Sequence, residues 1–226
     1  MLAPDGEVPE RLLGIFVKEP IAGRVKTRLS PPLTPEDAAR LYTVAMRETI
    51  SRFTASGLPV ALFYDGSERY FRENFPTLPL WRQSGSDLGQ RMHSALAVLL
   101  DTGCRTAALI GSDSPDLPVA QVEAAFALLA AHELVTIPAA DGGYVLIGQS
   151  APCPPVFEAI PWSTGEVLAM TRQRAEELGL SYRESGGWSD IDDHRSLEEI
   201  VRRSPGSDTA RYIRENLSGY LSTGRV

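Results

Sequence analysis

The sequence is poor in cysteine and contains no long apolar run. Its two cysteines, Cys104 and Cys153, are far apart and form no CxxC motif. Neither a disulfide framework nor a thiolate metal site is therefore indicated, and a reducing compartment is expected. No segment approaches the roughly 18 consecutive apolar residues of a membrane-spanning helix. Residues 1–10 carry acidic residues before the first basic one and no apolar run of signal-peptide length, so we expect a cytoplasmic protein without a membrane span.

Basic residues are in the minority. Lys and Arg total 22 against 29 Asp and Glu, which gives a formal net charge of -7. Affinity for duplex nucleic acid comes mainly from the neutralisation of phosphates by Lys and Arg, so an acidic chain is a poor candidate for wrapping a duplex. We therefore expect no nucleic-acid partner.

Motifs of several common enzyme classes are also missing. A Walker A loop needs glycine directly before its lysine, but Val25 precedes Lys26, and Pro20 stands where the first glycine of that loop would be. No GxGxxG follows the first predicted strand, no GxSxG occurs, and the three histidines have no metal-ligand spacing. These absences argue against a P-loop NTPase, a dinucleotide-dependent dehydrogenase and a serine hydrolase.

Apolar runs of strand length alternate with segments of helical periodicity. Strands are predicted at residues 12–17, 59–64, 106–110, 134–137 and 144–147. Thr34-Pro35 and Asp87 are predicted to begin two of the helices. This order predicts an α/β fold with three layers, α/β/α, around a mostly parallel sheet that has an antiparallel excursion after Ile137. Ligands of such sheets bind at the carboxyl ends of strands where the strand order reverses.

A basic segment follows the first predicted strand. It contains Lys18, Arg24, Lys26 and Arg28, with Glu19 as the only acid among them. A loop of this charge at the carboxyl end of a strand is suited to the phosphates of a nucleotide. The alternative is a solvated basic loop.

Carboxylates follow a later strand and precede a later helix. Asp113 comes after the strand at 106–110 and is a candidate ligand for a hard cation, whereas Asp116 is expected to cap the next helix. Alternation along residues 190–193 places Asp190 and Asp192 on one side of an extended segment and leaves Asp193 to cap a helix. Asp113 and Asp192 would then form a carboxylate pair for Mg²⁺ or Mn²⁺. The alternative for residues 190–193 is a plain capping cluster.

Three further segments fit a ligand site. Residues 83–89 are small and polar just before a helix, where backbone N–H groups can meet an anion or a ribose. Residues 141–144 contain two glycines, which form a turn or let an acceptor approach the backbone closely. The segment Trp162-Ser163-Thr164 is either a helix cap or a lid over that acceptor, and the cap is the favoured interpretation.

The order and spacing of these motifs resemble one family. The matching stretches are KEPIAGRVKTRL from Lys18, QSGSDLGQRM from Gln83, IGSDSPDL from Ile110, PAADGGYVLIG from Pro138, IPWST from Ile160 and DID from Asp190. Together they resemble the glycosyltransferase-A-like, nucleotide-diphospho-sugar transferase superfamily. The resemblance is to an uncharacterised bacterial branch that is related to the 2-phospholactate and molybdenum-cofactor guanylyltransferases.

The resemblance implies one domain over residues 1–226 that binds a nucleotide through its amino-terminal half and an acceptor through its carboxyl-terminal half. It implies catalysis by Asp113, Asp192 and Lys26, with Mg²⁺ or Mn²⁺ bound by Asp113 and Asp192. The implied nucleotide contacts are Lys18, Gly23, Lys26, Arg28, Gln83, Asp87 and Gly89. The implied acceptor contacts are Asp141, Gly142, Gly143, Tyr144, Trp162 and Ser163.

The implied activity is that of a metal-dependent glycosyltransferase using a nucleotide-diphospho-sugar and a small-molecule acceptor. One alternative is a nucleotidylyltransferase of the guanylyltransferase type, which transfers a nucleotide from a nucleoside triphosphate to a small phosphorylated acceptor. A third is a non-catalytic nucleotide-binding protein. The first loop lacks the glycine-rich form of many nucleotidyltransferases, and its Lys-Thr-Arg-Leu is closer to the lactate-type guanylyltransferases. The donor therefore stays open between a nucleoside triphosphate and a nucleotide sugar.

Overall fold

The computed structural model describes residues 8–221, so the acidic residues Asp5 and Glu7 and the two ends of the predicted domain lie outside the described residues. The strands are β1 (Arg11–Lys18), β2 (Val60–Asp65), β3 (Leu80–Arg82), β4 (Thr106–Gly111), β5 (Leu134–Pro138), β6 (Tyr144–Gln149) and β7 (Tyr182–Glu184). The helices are α1 (Pro35–Ala55), α2 (Glu68–Asn74), α3 (Leu88–Leu100), α4 (Val119–Leu129), α5 (Val167–Glu177), α6 (His194–Arg203) and α7 (Asp208–Asn216). Short 3-10 turns occupy Thr27–Leu29, Pro154–Phe157 and Ser218–Tyr220. Within this described part, no helix is long and apolar enough to cross a membrane.

The strands form one sheet in the order β3-β2-β1-β4-β6-β5-β7. The pairs β1–β2, β1–β4, β2–β3 and β5–β7 are parallel, while β6 is antiparallel to both β4 and β5. Only residues 139–143 separate β5 from β6, and so short a connection joins antiparallel neighbours. The predicted α/β fold, with its antiparallel excursion after Ile137, is therefore confirmed.

Strand β1 shows how the sheet is buried on both faces. Leu13, Ile15 and Val17 belong to a core cluster that also contains residues of α1 and α4, whereas Leu12 belongs to a second cluster with residues of α3. A side chain at Gly14 would have its Cβ 2.4 Å from Leu109. Burial of each large aliphatic side chain contributes about 1.5–3 kcal/mol to folding. A continuous apolar strand covered by helices on both faces is typical of a parallel sheet.

A third apolar cluster joins the carboxyl-terminal helices to α1. It contains residues from α1, α6 and α7, together with two that flank the predicted site, Leu29 after β1 and Ile191 before α6. Both of these side chains are almost fully buried. The cluster therefore brings the basic loop against the segment that carries the carboxylates.

Three predicted helix caps are confirmed. The side chains of Thr34, Asp87 and Asp193 accept hydrogen bonds from backbone N–H groups in the first turns of α1, α3 and α6. The expectation that Asp116 caps the next helix is wrong. Pro118 directly precedes α4, and the Asp116 side chain instead binds to residues at the end of α6.

The favoured helix-cap interpretation of residues 162–164 is also wrong. Helix α5 begins only at Val167, and Glu166 before it makes no side-chain capping bond. The Thr164 hydroxyl instead closes a turn by donating to the carbonyl of Pro161 at 2.7 Å. Residues 162–164 therefore form a loop in front of α5.

Candidate functional site

A cavity of about 620 Å³ opens at the carboxyl ends of β1 and β4. Strand β1 has β2 on one side and β4 on the other, so the strand order reverses between β1 and β4. The crevice outside such a reversal is where open α/β sheets bind ligands. The loops after both strands, the start of α3, the β5–β6 turn and the segments before α5 and α6 all contribute to its lining.

Basic side chains from two elements contribute to the lining of the cavity. Lys18 at the end of β1 is joined by Arg24, Lys26 and Arg28 from the following loop, and by Arg91 from α3. Within residues 8–221, Lys18 and Arg24 take part in none of the ion pairs that the other basic residues of the cavity form. Clustered cations attract polyanions such as nucleotide phosphates. Lys18 and Arg24 are therefore available to a bound anion.

Lys26 lies inside the site. Its side chain is only 5% exposed, its ammonium is 2.8 Å from the carboxylate of Asp113, and it also donates a hydrogen bond to the carbonyl of Ile191. Lys26 has a left-handed backbone conformation with φ of 49°. Such a conformation is uncommon for a residue other than glycine, and strain of this kind clusters at functional sites. Lys26 thus joins the basic loop to both segments that carry the predicted metal ligands.

Besides Asp87, four aspartates from three segments line the same cavity, namely Asp113, Asp141, Asp190 and Asp192. Burial raises the pKa of Asp190 to about 6; the positive charge of Lys26 opposes this increase, and the other three carboxylates add to it. The four groups are therefore close enough to repel one another. Asp190 was not among the predicted contacts, although its place in the Asp-Ile-Asp stretch is the signal that points to it.

The predicted metal ligands Asp113 and Asp192 are each paired with a cation of the basic loop. Asp113 contacts Lys26, and Asp192 contacts Arg28. Within residues 8–221, no group of three or more His, Cys, Asp or Glu is arranged to hold a metal ion. The donor chemistry still fits Mg²⁺ or Mn²⁺, because these ions prefer carboxylate oxygens and Asp190 adds a third carboxylate that is close enough to interact with the charges of Asp113 and Asp192. Metal binding by Asp113 and Asp192 stays a prediction.

A buried ion pair anchors the segment that carries Asp190. The side chain of Asp116 is 1% exposed and accepts hydrogen bonds from Arg203 Nε at 2.7 Å and Nη2 at 2.9 Å, and from the Ser204 hydroxyl at 2.7 Å. The indole N–H of Trp188 donates to the same carboxylate at 3.3 Å. The guanidinium of Arg203 also lies 4.8 Å from the centre of the Trp188 ring. These contacts fix residues 188–190 and α6 beside the loop after β4.

The predicted nucleotide contacts of residues 83–89 have different positions. Gln83 lines the cavity, and its amide group donates to carbonyls of β1 and β2. Asp87 lines the cavity and caps α3. Gly89 lies beneath Trp162, whose ring would be 2.5 Å from a Cβ at this position. Gly89 and the earlier candidate Gly23, which has φ of 76°, are not among the lining residues.

Most of the predicted acceptor residues line the same cavity. The lining includes Asp141, Gly143, Tyr144, Trp162 and Ser163. Gly142 is the exception: it has φ of 89°, and a Cβ there would be 2.1 Å from the carbonyl oxygen of Gly165. Its lack of a side chain allows the β5–β6 turn to contact the segment before α5.

Tyr42 and Arg91 also belong to the cavity, although neither is a predicted site residue. The Tyr42 hydroxyl accepts a hydrogen bond from the backbone N–H of Lys18 at 2.8 Å and lies 2.8 Å from the Ser112 hydroxyl. It therefore joins the loops after β1 and β4. On sequence alone Tyr42 is one more apolar position of a long amphipathic helix, so no signal points to it. Arg91 has a weak signal, because it lies one helical turn after the cap residue Asp87.

Comparison with known proteins identifies a family. The family model described as "Uncharacterized protein conserved in bacteria" (DUF2064) matches residues 49–164, which is more than half of the chain. A comparison with curated protein sequences gave no match.

Solved structures share the fold. A protein from Desulfovibrio desulfuricans G20, provisionally named a nucleotide-diphospho-sugar transferase, is 29% identical with a TM-score of 0.85, over 94% of this chain and 97% of that one. CMP:2-keto-3-deoxy-manno-octonic acid synthetase complexed with CTP is 11% identical with a TM-score of 0.54, over 91% and 99%. The manganese complex of Rv0371C from Mycobacterium tuberculosis H37Rv is 14% identical with a TM-score of 0.53, over 87% and 100%. The last two share the fold alone. The chain belongs to the DUF2064 family of bacterial proteins and has the fold of the nucleotide-diphospho-sugar transferases.

Proposed function

We propose that this protein is a metal-dependent transferase with a nucleotide-activated donor, and specifically a glycosyltransferase that uses a nucleotide-diphospho-sugar. One observation carries the proposal: a single cavity at the reversal of strand order holds the cations of the basic loop beside the carboxylates of Asp113, Asp190 and Asp192. The provisional name of the Desulfovibrio relative supports the same donor class. Because the loops of both halves of the chain line this cavity, we also propose that the chain works as one domain.

The cations of the basic loop would bind the diphosphate of the donor. Lys18 and Arg24 are free of ion pairs within the described residues. Lys26 gives two of its three N–H donors to Asp113 and Ile191, which leaves one for a phosphate oxygen. Asp113 and Asp192 would hold Mg²⁺ or Mn²⁺, which supplies further charge stabilisation to the leaving diphosphate.

Glycosyl transfer places its developing charge next to these groups. The acceptor oxygen forms a bond to the anomeric carbon and releases its proton to the surrounding water, and the bond from that carbon to the diphosphate oxygen breaks. The nucleoside diphosphate leaves with the bonding electron pair, so negative charge grows on the diphosphate. Fixed cations at that position stabilise the transition state without reorganisation.

The second candidate is a nucleotidylyltransferase. Five cationic side chains line the cavity, namely Lys18, Arg24, Lys26, Arg28 and Arg91, and this number also suits a triphosphate. In that reaction an acceptor oxygen attacks the α-phosphorus and pyrophosphate leaves. The fold shared with the CTP-bound synthetase is compatible with this chemistry.

A panel of nucleoside triphosphates and nucleotide sugars, screened for thermal stabilisation with and without Mn²⁺, separates the candidates. Stabilisation by a nucleotide sugar followed by sugar transfer or hydrolysis supports the glycosyltransferase. Stabilisation by a nucleoside triphosphate but by no nucleotide sugar supports nucleotidyl transfer. Binding without turnover supports a non-catalytic nucleotide-binding protein.

The role of Asp113 is tested by Asp113→Ala. We expect this variant to fold normally and to lose Mn²⁺-dependent nucleotide binding. Asp193→Asn is the matched control, because it removes a nearby carboxylate while asparagine still caps α6. Unchanged nucleotide affinity of Asp113→Ala in the presence of Mn²⁺ would refute the metal assignment.

A further inference from the structure

The part of the cavity that contains the predicted acceptor residues has no basic side chain of its own. It is formed by the β5–β6 turn and by the segment that leads into α5, and its lining residues are Asp141, Gly143, Tyr144, Trp162, Ser163, Thr164 and Val167. Arg28 interacts with the charge of Asp141, but its guanidinium is hydrogen-bonded to Asp192. The only formal charge that this wall itself presents is the carboxylate of Asp141.

A second cavity of about 420 Å³ lies next to the first. Trp162 and Asp87 line both cavities, so the indole of Trp162 stands between them. The side cavity is lined further by Gln90 and His93 of α3 and by the segment 154–160. None of its lining residues is Lys or Arg, all of them lie in the described part of the chain, and Asp87 and Glu158 are acidic.

Apolar and aromatic groups form much of the side cavity. Phe157, Ile160 and Trp162 line it, and the His93 ring lies tilted against that of Phe157 with 6.2 Å between the ring centres. Small-molecule sites are built in this way, from apolar and aromatic walls with a few polar groups that fix orientation. The side cavity therefore suits an apolar or aromatic group of a ligand.

The backbone on both sides of Trp162 is strained. Ala159 has φ of 56° and Ser163 has φ of 66°, and non-glycine residues keep such conformations only where the surrounding structure imposes them. Gly89 in α3 leaves the room that the indole fills, since a Cβ there would be 2.5 Å from it. The position of Trp162 between the two cavities is thus fixed from both sides.

An anionic acceptor that binds against this wall and in the side cavity would meet the carboxylates of Asp141, Asp87 and Glu158, and neither of these two surfaces includes a Lys or Arg. Juxtaposed like charges oppose binding and thereby select against such a partner. Hydroxyl groups, in contrast, can donate hydrogen bonds to the Asp141 carboxylate and exchange them with the Ser163 hydroxyl. The charge pattern therefore selects against an anionic compound.

We infer that the acceptor of the proposed transferase is a polyhydroxylated compound that has no anionic group and carries an apolar or aromatic group. Its hydroxyl end lies against Asp141 and Ser163, and its apolar group extends past Trp162 into the side cavity. The inference rests on the proposed function for the role of this ligand as acceptor. It excludes the small phosphorylated acceptor of the nucleotidylyltransferase alternative.

The test compares two probes that differ only in charge, phenyl β-D-glucopyranoside and its 6-phosphate, titrated calorimetrically into the full chain. The neutral probe is expected to bind at least about tenfold more tightly than the ester. Gln90→Lys places a cation on the rim of the side cavity at an exposed position of α3, so it should reduce that ratio severalfold. Gln173→Lys makes the same change at an exposed position of α5 outside both cavities and should leave the ratio unchanged.

Trp162→Ala should weaken binding of the neutral probe at least about tenfold, because it removes the aromatic surface shared by the two cavities.

Tighter or equal binding of the phosphate ester to the unmodified chain, or binding of neither probe, overturns the inference. Nucleotide binding with Mn²⁺ is measured on the same preparation. Nucleotide binding without selective probe binding refutes this inference alone, whereas probe binding without nucleotide binding refutes the proposed function.

Discussion

The ammonium of Lys26 lies 2.8 Å from the carboxylate of Asp113 and donates at the same time to the carbonyl of Ile191. One side chain therefore connects the loop after β1, the loop after β4 and the segment before α6. The Lys26 side chain is 5% exposed and that of Asp113 is 44% exposed. Both side chains line the cavity, but the cation is almost buried in its wall whereas the anion is partly exposed.

Removal of this cation should affect stability and binding together. Lys26→Met keeps the length of the side chain but leaves Asp113 and the Ile191 carbonyl without their partner. Breaking a fully buried ion pair costs about 3–5 kcal/mol, and the partial exposure of Asp113 reduces our expectation to about 2 kcal/mol of unfolding free energy. Nucleotide affinity should fall at least about tenfold, since a charged phosphate contact is lost. Urea denaturation and calorimetric titration measure the two effects.

Lys18→Met is the control for Lys26→Met. Lys18 also lines the cavity, but its side chain forms none of the ion pairs of the site within residues 8–221. Its replacement should lower nucleotide affinity while the unfolding free energy changes by less than about 0.5 kcal/mol. Equal stability losses in the two variants would contradict the central position assigned to Lys26.

The buried carboxylate of Asp116 should make stability depend on pH in the acid range. Burial by itself would raise the pKa of Asp116, but the hydrogen bonds and charge of Arg203 and the bonds from Ser204 and Trp188 outweigh it and lower the pKa. A carboxylate whose pKa is lower in the folded than in the unfolded state stabilises the fold, and this stabilisation is fully present above the unfolded-state pKa of about 4. The stabilisation is lost as the pH falls through the folded-state pKa. Asp116→Asn should therefore cost about 3 kcal/mol at pH 7 and progressively less below pH 4.

Asp208→Asn provides the comparison for Asp116→Asn. Asp208 pairs with Arg211 on the surface, where its side chain is 61% exposed. Exposed pairs contribute little, so this variant should lose less than about 1 kcal/mol at pH 7. Denaturation midpoints between pH 3 and pH 8 give both curves, and a pH-independent difference between the unmodified chain and Asp116→Asn would contradict the assignment.

Asp116 also shows that contacts between residues far apart in the sequence could not be predicted. The alternation of apolar runs and amphipathic segments was sufficient for the α/β fold and for the caps at Thr34, Asp87 and Asp193, because these depend on residues that are close in sequence. The partner of Asp116 is Arg203, 87 residues away. No local pattern distinguishes a carboxylate that caps the following helix from one that binds a distant arginine.

The candidate site, too, could be predicted from the sequence only in part. Its residue types were predictable, because basic and acidic residues follow strands whose carboxyl ends meet at one edge of the sheet. The contact of Lys26 with Asp113 was not, since it depends on the apolar cluster that packs Leu29 and Ile191 together. The side cavity beyond Trp162 was not predictable either, because it arises where the strained segment 159–163 packs against α3.

Gln149 is a buried polar residue whose replacement should stabilise the protein. It lies on β6, is fully buried, and neither its amide nitrogen nor its amide oxygen has a hydrogen-bond partner within the described residues. An unpaired buried polar group costs about 1–3 kcal/mol. Gln149→Met has a similar length without the amide, so we expect the unfolding free energy to rise by about 1 kcal/mol in urea denaturation.

Thr136 on the adjacent strand is the control, because it is a buried polar residue that does have a hydrogen-bond partner. Thr136 on β5 is also fully buried, but its hydroxyl lies 2.7 Å from that of Tyr182. Thr136→Val removes a satisfied group and leaves the tyrosine hydroxyl with one partner fewer, so it should lower the unfolding free energy by about 1 kcal/mol. A loss of stability in Gln149→Met as well would mean that the glutamine amide is satisfied in solution.

A glycine can be required by its backbone conformation or by a lack of space for a side chain, and Gly142 and Gly179 distinguish these two requirements. Both have positive φ, 89° and 66°, but a Cβ at Gly142 would be 2.1 Å from the carbonyl oxygen of Gly165, whereas a Cβ at Gly179 would have none of its non-neighbouring described residues within 4 Å. Gly179→Ala should therefore cost only the conformational penalty of about 1 kcal/mol. Gly142→Ala must in addition push the β5–β6 turn away from the segment before α5, which adds about 1–3 kcal/mol.

Because this movement also displaces Asp141 in the acceptor wall, Gly142→Ala should weaken binding of the neutral glucoside probe, and Gly179→Ala should not. Equal effects of the two variants on both unfolding free energy and probe affinity would show that the turn does not depend on its contact with Gly165.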